Sequence, residues 1–549
     1  MSEKNIYPSN LKNFFLKDHL LDYLNLAGDH SKKDQFAFPE CDFSNLMFDL
    51  GNKFEDVIIK KIMTECNNWS ISYQFVNRKI ANPYLITKEA FELGIDIIFQ
   101  PFLKDWKYMI VGYPDIIIKK KAFDLLFAKY KDLVAHLKED VYIVIDVKYS
   151  TLPQKDLIFT PKTAYHKFIQ AQVLMYKDLV AKTTKKASSV GFLLSKDEGL
   201  VQVLDSDDVQ KEIKLAISWV QKVRSHWKNW DISGDCPMDK LTNTPIYELY
   251  PNMSNQYDTP WRSYKIEISK RFKDISLVSG IGNVLRDRIQ KENVYIYSDE
   301  TFEETLESVM NDSTKRYKNI VKLVDNLNDV QSELKLLNCM DKIKYLYFDI
   351  ETSYIFEQSR EYLVNIGVGE YFNSNNKWMD LEGNWKHSSF FIESLEESSE
   401  EKMLESVSNH IKELQKTYSL ILIHYTAAEN KVLNKLKEKG CEFKNVDMAV
   451  CFKYFWERNQ DLQKLRLENF KLKTIIQKLT EFGWLDQNLY KDCQIKTGLE
   501  VSAIYNKLFS LQDQEYRQKL IKEIDLYNKA DCKSLYVLHL LLKSNLLLF

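Results

Sequence analysis

The sequence predicts a multidomain α/β protein, and three observations lead there. A chain of 549 residues is too long for one hydrophobic core and divides into two to four domains. Helix and strand periodicities alternate up to residue 205 and again beyond residue 341. Of eleven prolines, Pro237, Pro245, Pro251 and Pro260 cluster among Asn, Asp and Ser, and none follows Pro260, which marks a connector near 231–260.

The elements follow in order. SNLMFDLGNKFEDVIIKKIM (44–63) reads as an amphipathic helix with Leu46, Leu50, Phe54, Val57, Ile58 and Ile62 on one stripe. IDIIFQPFL (95–103), YPDIIIK (113–119) and VYIVIDVKY (141–149) read as strands, 162–183 as a helix and SVGFLLS (189–195) as another strand. A long basic helix is predicted over 207–229. Downstream, KYLYFDIE, YLVNIGVGEYF and LILIHY are strands, and 500–545 is mostly helical. The acidic run ESLEESSEEKMLESV (393–407) predicts a solvated helix start. LYVLHLLLKSNLLLF (535–549) is apolar but carries His539 and Lys543 and is too short for a bilayer, so it predicts a core helix.

Composition narrows the function classes. With 45% hydrophobic and 28% charged residues the chain is of ordinary globular type. Its 76 basic and 78 acidic residues leave a net charge of −2, so a nucleic-acid surface must be a local patch. The eight cysteines are scattered without a C-x-x-C pair, which argues against a zinc ribbon, gives no disulfide framework and points to a reducing compartment. MSEKNIYPSNLKNFF contains no apolar core of signal-peptide length, so the expected location is intracellular and cytoplasmic, with the nucleus as the alternative and no membrane partner.

Asp146 and Lys148 are the most informative pair. In VIDVKYS (144–150) they stand two apart at the end of an apolar strand, hence on one face. Burying charge is costly unless it is paired or binds metal. Phosphodiester cleavage uses that arrangement: carboxylates hold Mg²⁺ and a lysine positions or polarises water. Three fragments surround the pair in order: GNKFE (51–55) with Glu55 on a helix, GYPD (112–115) with Asp115 at a strand entrance, and QVLMY (172–176) with Gln172 and Tyr176 one turn apart.

On these residues, together with Gln100, segment 1–205 resembles a RecB-family member of the PD-(D/E)XK nucleases. The resemblance implies an αβββαβ core that cuts DNA with Mg²⁺, or Mn²⁺ in its place. Glu55, Asp115 and Asp146 would carry the metal, Lys148 would act on water, and Gln172 and Tyr176 would order the site or the strand. Some relatives hold an iron–sulfur cluster on four cysteines; here Cys41 precedes the first motif but no triplet follows the last, so no cluster is expected.

A second acidic set lies downstream. FDIET (348–352) puts Asp349 and Glu351 on one face of a strand, and YNKAD puts Tyr527 and Asp531 on one face of a helix. Between them LILIHYTAAENKVL runs from a strand into a helix carrying Glu429. Segment 341–549 resembles the DnaQ-like, RNase H-fold 3′–5′ exonucleases. By that resemblance Asp349, Glu351, Glu429 and Asp531 bind two Mg²⁺ and Tyr527 orients water. The family usually has aspartate where Glu429 stands, and Asp447 is a substitute candidate whose place resembles a structural aspartate. The two constellations in this order resemble predicted RecB-type nucleases fused to an RNase H-like domain.

Two stretches join them: a basic helix and proline-rich connector (206–260) and a helical region (261–340). Within the latter, SLVSGIGNVLRDRI (276–289) carries the Gly280–Gly282 turn of a helix–hairpin–helix, whose amides can hold a phosphate. Lys265, Lys270, Arg271, Lys273, Arg286 and Arg288 make its neighbourhood basic. A tight interhelical turn explains the glycines equally well. Tyr247, Tyr250, Tyr257 and Trp261 in the connector read as packing residues, with stacking on unpaired bases as the alternative.

The functional expectation is a metal-dependent DNA nuclease acting on single-stranded or processed ends in recombination, repair or replication, exonuclease rather than endonuclease. RNA stays open as a substrate, and protein partners are unspecified. A second reading keeps only the first centre active, with the C-terminal domain positioning nucleic acid. A third is a non-catalytic nucleic-acid-binding scaffold.

Overall fold

The computed structural model describes residues 5–546 apart from 78, 279–280, 312–342, 359, 372–384, 464, 466, 468 and 487. It is a mixed α/β protein with about 51% helix. Two compact units divide it: Met1–Asp34 with Met47–Ser276, and Gln35–Leu46 with Leu277–Phe549.

The first unit is built on an eight-stranded mixed sheet. Its strands come from β1 (Tyr73–Phe75), β2 (Ile97–Phe99), β5 (Ile116–Lys119), β6 (Tyr142–Val147), β7 (Gln154–Lys155), β8 (Ile158–Phe159), β9 (Ala187–Leu194) and β10 (Leu200–Val203). Across the sheet they run β1-β2-β5-β6-β9-β10-β8-β7, while β3 (Leu103–Asp105) and β4 (Ile110–Gly112) form a separate antiparallel pair. All six residues of β6 are buried, which is why it reads as a continuous apolar run instead of an alternating one. It pairs antiparallel with β5 and parallel with β9.

The helix Phe43–Trp69 sends Ile58, Ile59, Ile62 and Cys66 into the core beneath this sheet. Val57, expected on that stripe, is 58% exposed, and Ile59 takes its place. At 3.6 residues per turn, position 59 continues the line through 55, 62 and 66, whereas 57 falls outside it. The helix Ala164–Thr184 begins at Thr163, whose hydroxyl accepts from the His166 amide at 3.2 Å. A Cβ at Gly112 would stand 2.7 Å from Leu179 and 2.8 Å from the Tyr176 ring, so only glycine lets this helix close onto β4.

The proline-rich connector folds inside the first unit. Short strands β11 (Trp230–Asp231), β12 (Met238–Asp239) and β13 (Thr244–Pro245) form a three-stranded sheet, and Tyr250 and Trp261 are buried. Lys265, expected to be available to phosphate, is fully buried: its ammonium lies 2.8 Å from Asp18 and 2.5 Å from Asp258. Without it buried Asp18 would lose its cation and buried Asp258 would keep only Arg262, which is the physical reason for its inward position.

The second unit contains β14 (Ile343–Ile355), β15 (Arg360–Tyr371), β16 (Trp385–Phe391), β17 (Ser419–His424) and β18 (Lys444–Asp447) in the order β16-β15-β14-β17-β18. β14 to β16 are antiparallel, and β17 and β18 run parallel to β14. Side chains of β14 alternate between two cores, Leu346 and Phe348 in one and Tyr347 in the other. The helix Gln514–Leu546 contributes Leu535, Leu538 and Leu542 to the core holding Tyr347, as the apolar C-terminal run predicts. The acidic run starts a helix as expected, with Glu393, Glu396, Glu397, Glu401 and Glu405 exposed, and Glu400 is the exception. The helix Glu397–Gln415 buries Glu400, Met403, Leu404 and Val407, and Glu400 meets Lys435 at 3.3 Å and Arg360 at 3.5 Å. Among the described residues no helix is long and apolar enough to cross a membrane.

Two candidate acidic sites

The first site gathers on one end of β5 and β6. Asp115 stands just before β5, Asp146 lies within β6 and Lys148 one residue past its end. Asp115 is anchored by the Val147 amide, which donates to its Oδ2 at 2.7 Å. Asp146 is 2% exposed, and the Lys148 ammonium lies 2.6 Å from its Oδ2. Glu55 reaches in from the helix Phe43–Trp69, and Gln100 Nε2 donates to its carboxylate at 2.6 Å. On the helix Ala164–Thr184, Gln172 Nε2 donates to the Tyr176 hydroxyl at 3.1 Å, as their one-turn spacing predicts.

Electrostatics tie these groups into one set. Burial, followed by the charges of Asp146 and Glu55, pushes the Asp115 carboxyl well above the usual range. Burial opposes the charge on Lys148, yet Asp146 and Asp115 hold its ammonium above the ordinary lysine value. Burial and Asp146 raise the Tyr176 hydroxyl, keeping it a neutral donor. The result is a permanent cation set beside clustered acids with oxygen-only donors.

The second site is the tighter one. Ligand oxygens of Asp349, Glu351 and Asp531 all lie within 4.8 Å of one another, the three-acid group that closes to this distance among the described residues. Glu55, Asp115 and Asp146 do not close as a set to that distance. Asp349 pairs with Gly367 and Glu351 with Asn365 across β14–β15, with an irregularity just after Glu351. Asp349 Oδ2 accepts from Asn528 Nδ2 at 2.7 Å, and His387 Nε2 stands 3.2 Å from Asn528 Oδ1. A Cβ at Gly367 would lie 1.6 Å from Asn528 Oδ1, so this glycine makes room for the bridge. Asp531 accepts from the Tyr490 hydroxyl.

Burial, then Asp531, Glu351 and Glu429, raise Asp349 well above the usual carboxylate range. Glu351 is pushed up to about 8 by burial and Asp531, against the pull of Lys473. Burial raises Asp531 too, opposed by Lys473 and hydrogen bonds from Tyr490 and Tyr527. Three like charges held together in a protein interior call for a cation, and carboxylate oxygens suit a hard divalent one.

Other predicted residues fall around this group. Tyr527 is buried with the Lys473 ammonium 3.7 Å from its ring centre. Glu429 is buried outside the tight group; it accepts from Thr426 Oγ1 at 3.2 Å and faces His424 Nδ1 at 3.7 Å. Asp447, the alternative to Glu429, caps the helix Met448–Arg458 by accepting from the Ala449 and Val450 amides. Its carboxylate therefore serves the helix end. Lys473, Tyr490, Asn528 and His387 are not evident from sequence patterns, although Asn528 directly follows Tyr527 within YNKAD.

The basic stretch differs from expectation. Gly280 lies outside the described residues, as do 312–340 of the helical middle. Gly282 caps the helix Asn283–Lys291 with φ −86°. Arg288 is exposed, but Arg286 is 4% exposed because it lies on the helix face shared with buried Ile289. Arg271 donates to the Ile232 and Gly234 carbonyls. No protein-family model, curated protein or solved structure matches the chain.

Proposed function

We propose that the protein is a metal-dependent nuclease with two centres, a RecB-like PD-(D/E)XK site in the first unit and a DnaQ-like site on an RNase H-like fold in the second. The observation that carries this reading is the convergence of Asp349, Glu351 and Asp531 within 4.8 Å. For the first unit, the support is the chain order of its elements. The helix Phe43–Trp69 with Glu55, β2, β5, β6 with Asp146, the helix Ala164–Thr184 with Gln172 and Tyr176, and β9 come in the αβββαβ order of the resemblance with further elements between them, while Asp115 and Lys148 lie just outside β5 and β6.

Divalent magnesium, when bound, supplies charge that stabilises the developing negative charge of a phosphodiester under attack. Glu55, Asp115 and Asp146 would hold it in the first centre; Asp349, Glu351 and Asp531, with Glu429 beside them, in the second. Lys148 keeps its proton and presents a fixed positive charge that orients water and the scissile phosphate. Gln100 holds the Glu55 carboxylate, and Asn528 holds one oxygen of Asp349, leaving the other free to face inward. Tyr527 and Tyr490 keep their protons and can donate to water or to Asp531.

The substrate under this reading is DNA with single-stranded or processed ends. End-labelled DNA and RNA strands, incubated with wild type, Asp146→Ala and Asp349→Ala in Mg²⁺, test it. Asp349→Ala should selectively lose 3′-end trimming and Asp146→Ala the remaining cleavage while binding survives. Product ladders unchanged in both variants remove both proposed sites from the account, and the lack of any cleavage by wild type removes the nuclease reading.

A further inference from the structure

Beside the first centre lies an aromatic surface that its acid–lysine chemistry leaves unused. Tyr257 is 52% exposed and stacks on Tyr165, with ring centres 4.8 Å apart and planes at 12°. The Lys12 ammonium stands 5.3 Å from the Tyr257 ring centre and 6.0 Å from that of Tyr165. Tyr165 belongs to the helix Ala164–Thr184, the same helix that brings Gln172 and Tyr176 to the site. It also lies close enough to Lys148 and Asp146 for their charges to act on its hydroxyl.

Tyr257 is held firmly in place. Its amide donates to Asn255 Oδ1 at 3.0 Å, and the adjacent Asp258 is buried between Lys265 and Arg262. Asn255 in turn donates to Asp18 at 2.8 Å, and its carbonyl accepts from Lys265. A half-exposed ring fixed by buried ion pairs carries little ordering cost when something stacks on it. Packing requires neither the exposed outer face of Tyr257 nor a cation at its edge.

We propose that Tyr257, backed by Tyr165 and flanked by Lys12, is a stacking platform for an unpaired base of single-stranded DNA whose backbone enters the Asp115–Asp146–Lys148 centre. This rests on the nuclease reading of that centre and adds the residues that grip the unpaired strand beside it. Aromatic rings accept any base through its π-face, and a nearby ammonium suits the backbone phosphate. In duplex DNA the base faces are already stacked, so the platform selects unpaired strands.

The test uses the full chain in EDTA, which stops cleavage, with a fluorescein-labelled oligo(dT) followed by anisotropy at one salt concentration. Losing one base–aromatic stack weakens binding about 5- to 150-fold, so Tyr257→Ala should fall by that factor and Tyr257→Phe should restore it. Affinity for the blunt duplex should be the same in all three proteins. Tyr257→Ala binding the single strand as wild type does, at an unchanged melting temperature, overturns the platform. An equal loss for single strand and duplex also overturns it. Wild type that neither binds the oligonucleotide nor cleaves it in Mg²⁺ overturns the nuclease reading as well, which separates the two failures.

Discussion

Glu351→Gln offers a thermodynamic test of the second acidic centre without any substrate. In the fold Glu351 titrates at about 8, against an ordinary 4.5. A group whose folded pKa is raised stabilises the fold below its unfolded pKa, and that contribution is lost as pH rises through the folded value. The window is therefore pH 4.5 to 8, with a slope of about 1.4 kcal/mol per pH unit. Over the 3.5 units between the two values the loss is at most about 5 kcal/mol, shared with the coupled Asp349 and Asp531. Glutamine keeps the shape and has no proton to release. Urea unfolding of the metal-free protein at pH 5 and pH 8 should therefore show a steep loss for wild type and a much shallower one for Glu351→Gln. Mg²⁺ at a hundred times its dissociation constant should restore about 2.7 kcal/mol to wild type at pH 8. The variant should gain little, because one ligand is gone. Parallel pH dependences, or equal magnesium stabilisation of both proteins, would refute the reasoning.

Two further outcomes follow from single side chains. Gly367→Ala drives a methyl into Asn528 Oδ1, so it should displace the Asn528–Asp349 hydrogen bond and destabilise the protein by about 1–3 kcal/mol in chemical denaturation, with metal affinity falling alongside. Lys265→Met leaves Asp18 and Asp258 buried without their ammonium and should cost about 3–5 kcal/mol in the same measurement; a change below about 1 kcal/mol would show the pairing to be dispensable.

Much of the local structure was legible because its signals are local. The β6 run YIVIDV is apolar at consecutive positions and is buried throughout, and LILIH forms β17 as read. The stripe on Phe43–Trp69 was legible to within one residue: Ile59 and Val57 are both apolar, and only the direction of the core distinguishes them. Cations were less legible. Lys265, Arg271 and Arg286 look alike as sequence characters to exposed Lys270, Lys273 and Arg288, but the first group is engaged or buried inside the fold. Asp18, a partner of Lys265, stands 247 positions before it, and the carbonyls that Arg271 reaches stand 37 and 39 positions before it.

The acidic sites divide along the same line. Period-two spacing placed Asp146 beside Lys148 and Asp349 beside Glu351, and one-turn spacing placed Tyr176 near Gln172, because backbone geometry alone controls those distances. Spacing singled out Asp146 as the stronger anchor; the fold closes the Asp349–Glu351–Asp531 group more tightly. Bringing Asp531, Tyr490, Lys473 and Asn528 to one strand requires the packing of three separate segments against β14, and the stacking of Tyr257 on Tyr165 requires the connector to fold back over a helix. Those contacts span large sequence separations, so they exist only once loop-closure entropy has been offset by a formed core.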